Sequence, residues 1–322
     1  GYKMNKRTRV LNALEGKKVD RIPVSFWHHF SGSKAEGEEC IEAHMNYYNE
    51  SGVDFLKIMS DGFFGYPLNV KIEKASDWNK VKPQGKNSKF VQEQLDRVKG
   101  INARLKGDCC TFYNVFAPFS LIRFETSDEM VSEHLKQDKA AVLSALDAIA
   151  EDNAELARLM ICEAGCDGIY MPFQGGELDR FTYDEYREIV TPSDLKVLES
   201  AVRESKYNIA HLCAWAGFKN RLEVWRDYPA IAFNWSVFIE EMSMVEGRDF
   251  FEGKTVIGGF DNRKSGVLFG GTEAEIKEYT KNLIQEFGTK EGIILGADCT
   301  LSQDIDYKNI RYVIEAAKTT LL

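Results

Sequence analysis

Three soft metal ligands stand out in this chain: His211 and Cys213, separated only by Leu212, and Cys299 far downstream. One imidazole and two thiolates fill three corners of a tetrahedral zinc and leave the fourth open, the arrangement of catalytic rather than structural zinc sites. Residues two apart on a β-strand point to the same face, so His211 and Cys213 can aim at one ion if their segment is extended. Cys299 can join them only if the fold brings distant strand ends together. The chain therefore reads first as a zinc enzyme.

The elements that must do this positioning are visible as short β-branched or aromatic runs alternating with longer amphipathic stretches. Eight runs are expected as strands: Ile22–Trp27, Asp54–Met59, Cys109–Val115, Gly168–Met171, Asn208–Cys213, Ala230–Asn234, Thr255–Gly259 and Gly292–Ala297. Helical spacing is clearest from Asp138 to Ala164, where Val142, Leu146, Ile149, Leu156, Leu159 and Met160 recur on one face. Other helices are expected over Tyr183–Glu204, Thr272–Phe287 and Asp306–Ala317. Strands that alternate with helices pair in parallel through right-handed crossovers, and eight of them close a barrel. The expected fold is thus α/β, a single (β/α)8 TIM barrel spanning residues 1–322. The competing open, nucleotide-binding sheet lacks its signatures, since no Gly-x-Gly-x-x-Gly follows the first strand and no Walker loop is present. Residues 60–108, rich in Gly, Pro, Lys and Asn with a charged helical piece near Val91–Lys99, read as an insertion between strands 2 and 3 that forms a lid or binding loop.

Composition fits a soluble protein with small-molecule or protein partners. The 322 residues are 44% hydrophobic and 12% aromatic, enough for a large core. A net charge of −9 and a pI near 5.3 argue against nucleic-acid or anionic-membrane surfaces, which need a basic face. Seven cysteines without the close spacing of a disulfide scaffold fit a reducing, cytoplasmic setting, and no signal-peptide pattern, lipidation motif or run of eighteen apolar residues appears.

In such a barrel the chemistry lies at the carboxyl ends of the strands. That rim gathers Trp27, His28 and His29, then Asp61, Phe63 and Phe64, Phe116, Gln174, Asn234 and Trp235, Asp261 and Asp298. Asp61, Asn234 and Asp298 are candidate catalytic groups or transient fourth ligands. Trp27, His28, His29, Phe63, Phe116, Gln174, Trp235 and Asp261 are candidate substrate contacts. Each has a plainer reading: a carboxylate can cap a helix or close a turn, especially Asp261, and rim aromatics can simply pack. His28 and His29 stay open between a ring over the substrate and core packing. Cys40, Cys109, Cys110, Cys162 and Cys166 read as small hydrophobes, and His44 and His134 as structural.

Several segments together resemble the uroporphyrinogen decarboxylase superfamily. They are Lys6–Gly16, Val19–Val24, Ala164–Gly168, Phe233–Val237 and Gly258–Asp261, and the resemblance runs from about Met4 to Thr319. It implies a (β/α)8 barrel with its site at the strand carboxyl ends. The decarboxylases carry an Arg-Gln-Ala-Gly-Arg segment whose arginines hold the substrate's carboxylates, whereas this chain has Ser25-Phe26-Trp27-His28-His29. They also have an aspartate in place of Asn234 and His-Gly in place of Asp298-Cys299; Asp61 alone resembles their pyrrole-contacting aspartate. His211, Cys213 and Cys299 instead match the His-x-Cys…Cys zinc motif of the superfamily's cobalamin-linked methyltransferases, which resemble methylcobamide:coenzyme M enzymes.

That resemblance implies a zinc-dependent methyltransferase moving a methyl group between the methylcobamide of a partner corrinoid protein and a thiol, methoxy or methylamine substrate. Two thiolates and a neutral imidazole cancel the charge of Zn²⁺, so a bound substrate thiolate leaves an electron-rich, nucleophilic sulfur. The chain lacks the Asp-x-His-x-x-Gly signature of a cobalamin domain, hence the expected protein partner. Direction of transfer and oligomeric state, a homodimer included, are left open. The alternatives are a decarboxylase-like lyase acting on a tetrapyrrole or related carboxylate, and a non-catalytic binding barrel.

Overall fold

A computed structural model describes residues 3–322. Seven parallel strands, β1 (Phe55–Ile58), β2 (Cys110–Asn114), β3 (Gly168–Phe173), β4 (Ile209–Leu212), β5 (Ala232–Trp235), β6 (Thr255–Phe260) and β7 (Ile293–Ala297), pair in chain order in one sheet. Every residue in them is buried, as expected of strands covered on both faces. Helices on the connections supply the outer cover.

Seven of the eight expected strands form; Ile22–Trp27 does not become a regular one. Pro23 has no N–H to give, and the Val24 N–H is taken by the Asp54 carboxylate at 2.8 Å. The segment is nevertheless extended between the two edges of the sheet. Ser25 N–H reaches Leu295 O at 2.9 Å on β7, and Asp54 N–H reaches Val24 O at 2.8 Å just before β1. Asp54 is itself fully buried between Arg9 (2.9 Å) and Arg21 (2.8 Å), so one carboxylate ties the first helix (Lys6–Leu14), the bridging segment and β1 together.

The helices follow their sequence signals. Lys139–Cys162 begins where Asp138 caps the Ala141 N–H, and Glu273–Phe287 begins at a capping box of Thr272 and Glu275. The stretch 183–204 splits into Tyr183–Ile189 and Thr191–Glu204, with Pro192 in the first turn of the second helix, where its missing N–H does no harm. Tyr307–Thr319 closes the chain.

Residues 60–108 contain a 3₁₀ turn, Ala75–Lys80, and the helix Lys89–Leu105, which packs against Gly37–Ser51 as the crossover from β1 to β2. The irregular part is pinned to the long helix by Asp152, which accepts from Tyr66 Oη at 2.5 Å and from the N–H groups of Gln84 and Gly85 at 2.9 Å. No helix among the described residues is long and apolar enough to cross a membrane.

Candidate metal centre

Strand register sets the inner face. Lys57 pairs with Phe112, Phe112 with Gly168, Tyr170 with Ile209, and His211 with Asn234, so Lys57, Tyr170, His211 and Asn234 share one side of the sheet. Cys213 lies two residues beyond His211 and falls on the same side, and Cys299 follows the end of β7. The ligating atoms of His211, Cys213 and Cys299 all lie within 4.8 Å of one another. His211 is buried, and both cysteines are half-buried.

Asn234 fixes the chemistry of the imidazole. Its Nδ2 donates to Ile257 O at 2.8 Å and Ala297 O at 3.0 Å, which leaves only one orientation for the amide. Its Oδ1 then accepts from Tyr170 Oη at 3.0 Å and from His211 Nδ1 at 2.6 Å. The hydrogen on Nδ1 is thus assigned from the partner, and Nε2 carries the lone pair. That Nε2 is buried and has no hydrogen-bond partner among the described residues. An orphaned, lone-pair nitrogen beside two sulfurs, with its other nitrogen held by an amide oxygen, fits a metal-bound histidine and its supporting hydrogen bond. Tetrahedral zinc needs ligand atoms about 3.5–3.8 Å apart, close enough to this spacing for small side-chain rotations to close the set. The closeness of Cys213 and His211 holds the Cys299 thiol well below its usual range, while that of Cys213 rises.

The other expected site residues divide. Trp27 packs inside, its ring edge on Tyr170 at 5.0 Å. Asp61 is buried and occupied: burial opposes its ionisation, but His29 Nδ1 (2.7 Å) and Phe30 N–H (2.9 Å) outweigh this and hold it below the usual carboxylate range. His29 in turn touches Phe64, which packs on Phe116. Gln174 is buried and accepts from Arg123 at 3.3 Å, beside an Arg123–Glu177 ion pair. These groups surround the inner face.

Others point elsewhere. His28 bonds His29 O (2.7 Å) and Tyr307 Oη (2.8 Å), and burial lowers its pKa, so it joins the bridging segment to the last helix. Phe63 lies under the Arg97 guanidinium, 4.5 Å away. Trp235 follows the inward Asn234 and therefore faces outward, where it packs on Gly247 and Phe251 and donates to Met242 O at 2.9 Å. Asp261 closes a turn with Arg263. Asp298 accepts from Ser236 and from the Val237 and Phe238 N–H groups, so it anchors the loop after β5 to the end of β7; burial pushes its pKa up to about 6.

Two inward residues escaped the sequence reading. Tyr170 stacks on His211 at 5.5 Å and bonds Asn234. Lys57 is a buried lysine with its ammonium 4.0 Å from the Tyr170 ring centre. The available signal was a lysine inside the apolar run Phe55-Leu56-Lys57-Ile58. Burial pushes its pKa down to about 8, with Cys299, Asp61 and Cys213 pulling upward.

Residues 65–320 match the family described as uroporphyrinogen decarboxylase (URO-D). No curated protein matches the chain in sequence. Among solved structures the chain is similar to a methyltransferase from Methanosarcina mazei, with 16% identity, a TM-score of 0.76 and coverage of 98% of both chains. It is also similar to a β-mannanase from the blue mussel Mytilus edulis, with 11% identity, a TM-score of 0.51 and coverage of 92% of both chains. At such identities, and with two different chemistries, these likenesses establish the fold alone. The family match, which spans most of the chain, is decisive at its own level: this protein belongs to the uroporphyrinogen decarboxylase family.

Proposed function

We propose that the protein is a zinc-dependent methyltransferase that passes a methyl group between the methylcobamide of a partner corrinoid protein and a thiol, methoxy or methylamine substrate. The observation that carries this reading is the orphaned His211 Nε2 gathered with two cysteine sulfurs within 4.8 Å. His211, Cys213 and Cys299 would hold the ion, and Asn234 orients the imidazole so that its lone pair faces the sulfurs. When bound, zinc would supply a Lewis acid that keeps a substrate heteroatom deprotonated at neutral pH. Tyr170 and Trp27 wall the inner side against water. The methyltransferase from Methanosarcina mazei shares the fold, which makes the reading compatible with the scaffold.

In this reading the extended segment Ile22–Trp27 completes a (β/α)8 barrel by bonding both edges of the sheet. Exposed Phe64, Phe124, Leu178, Phe218 and Phe238 lie on the connections that follow β1 to β5, an apolar rim suited to a docking corrinoid protein. The irregular part of residues 60–108 serves as a lid beside that rim. Seven free cysteines, Cys162 exposed among them, suit a reducing cytoplasm.

Metal analysis tests the reading. Purified protein is expected to hold about one zinc per chain, and Cys213→Ala or Cys299→Ala to lose it without unfolding. Methyl transfer from methylcobalamin to a thiol should disappear with the metal. A folded, metal-free wild type that decarboxylates uroporphyrinogen would overturn the proposal in favour of the lyase.

A further inference from the structure

Lys57 projects from β1 into the same interior as the metal centre, yet it makes no hydrogen bond or ion pair among the described residues. Its ammonium lies 4.0 Å from the Tyr170 ring centre and 5.3 Å from that of Trp27. Tyr170 stacks in turn on His211, so a single aromatic ring contacts both the ammonium and the histidine. Ring faces stabilise a cation only in part, and a buried ammonium with no anionic acceptor is an expensive way to fill a core. A methionine of similar length would pack there at lower cost. The charge therefore calls for an anion that arrives from outside.

The loaded centre is where such an anion is needed. Two thiolates and one imidazole neutralise a divalent ion, so any reactant that binds as an anion brings an uncompensated negative charge to the site. Resting on the methyltransferase reading, we propose that Lys57 is a specificity-determining residue, a buried counter-charge that favours an anionic methyl acceptor or donor and disfavours cationic ones such as methylammonium compounds. Of the three substrate types compatible with the ligand set, this favours those that bind as anions, thiolates among them. The ammonium and the ring of Tyr170 together form the wall that such a reactant meets.

The test uses full-length protein in two arms. In the metal-free protein, alkylation of Cys213 and Cys299 by iodoacetate and by iodoacetamide is followed by mass spectrometry, with exposed Cys162 as an internal reference. Relative to Cys162, the inner thiols should prefer the anionic reagent by about tenfold, and Lys57→Met should abolish that preference while Lys57→Arg keeps most of it. In the zinc-loaded protein, calorimetry should give about tenfold tighter binding of 3-mercaptopropionate than of cysteamine, again lost in Lys57→Met. Lys57→Met should also melt at a higher temperature than wild type without ligand, which a merely structural lysine would not do. If Lys57→Met does not fold, Lys57→Gln replaces it. An unchanged reagent preference in the folded variant overturns the inference. Failure of wild type to hold zinc defeats the functional reading instead and leaves the alkylation arm to decide Lys57.

Discussion

Asn234 shows how much of a metal site is settled one residue away from the metal. Its amide nitrogen is spent on two backbone carbonyls, so its oxygen has no alternative but to face His211 and Tyr170. Replacing it with alanine frees the imidazole to rotate and to change tautomer. Asn234→Ala should weaken zinc binding by about 10–100-fold in a chelator competition, with the ligands themselves untouched. Undiminished affinity in that variant would remove Asn234 from the site. By contrast Trp235, its neighbour in sequence, faces the outer helices, and Trp235→Phe should leave metal binding unchanged while costing stability through the lost bond to Met242.

Two buried carboxylates govern how whole elements are held. Asp54 joins the first helix, the bridging segment and β1 through Arg9 and Arg21. Asp54→Ala would leave two buried guanidinium groups short of a partner and should cost about 3–5 kcal/mol, read as a fall in Tm. Asp194, in the helix Thr191–Glu204, receives hydroxyl hydrogen bonds from Tyr186 (2.7 Å) and Tyr228 (2.6 Å), which tie it to the preceding helix and to the chain before β5. Burial outweighs these bonds and pushes its pKa up to about 7. A carboxyl whose folded pKa lies above its unfolded one keeps a proton that the unfolded chain gives up. Its contribution therefore declines as pH rises from about 4 to about 7 and then levels off, by on the order of 4 kcal/mol. Denaturant unfolding at pH 5 and pH 8 should show wild type weaker at pH 8, and Asp194→Asn should flatten that difference. An equal pH dependence in the variant would show that Asp194 is not its source.

At the scale of the molecule, the site and the exposed Phe124 and Phe218 lie on the connections at the same ends of the strands, and in the proposed reading a corrinoid protein would dock over them. Phe218, half exposed and stacked on Trp215, lies in the connection that follows Cys213. Phe218→Ser should slow methyl transfer from a corrinoid protein by about tenfold or more yet leave transfer from free methylcobalamin near the wild-type rate, since one interface anchor is worth about 1–2 kcal/mol or more. Equal loss with both donors would place the defect in the pocket and not in docking.

The sequence by itself determined the alternation of strands and helices, because apolar periodicity and capping residues act over one or two turns, as at Asp138 and Thr272. It also singled out His211, Cys213 and Cys299, because few residue types bind a soft metal and a spacing of two on a strand has one geometric meaning. Only the tertiary structure decided that Pro23 and the Asp54 carboxylate would keep Ile22–Trp27 from forming a regular strand, that Asp261 and Asp298 serve a turn and a loop, and that His28 turns toward Tyr307. These outcomes depend on which long-range partner reaches a polar group first, and local pattern carries no record of that competition. Lys57 lay between the two: its place in an apolar strand was legible, but the Tyr170 ring against which its ammonium packs comes from a strand more than a hundred residues later.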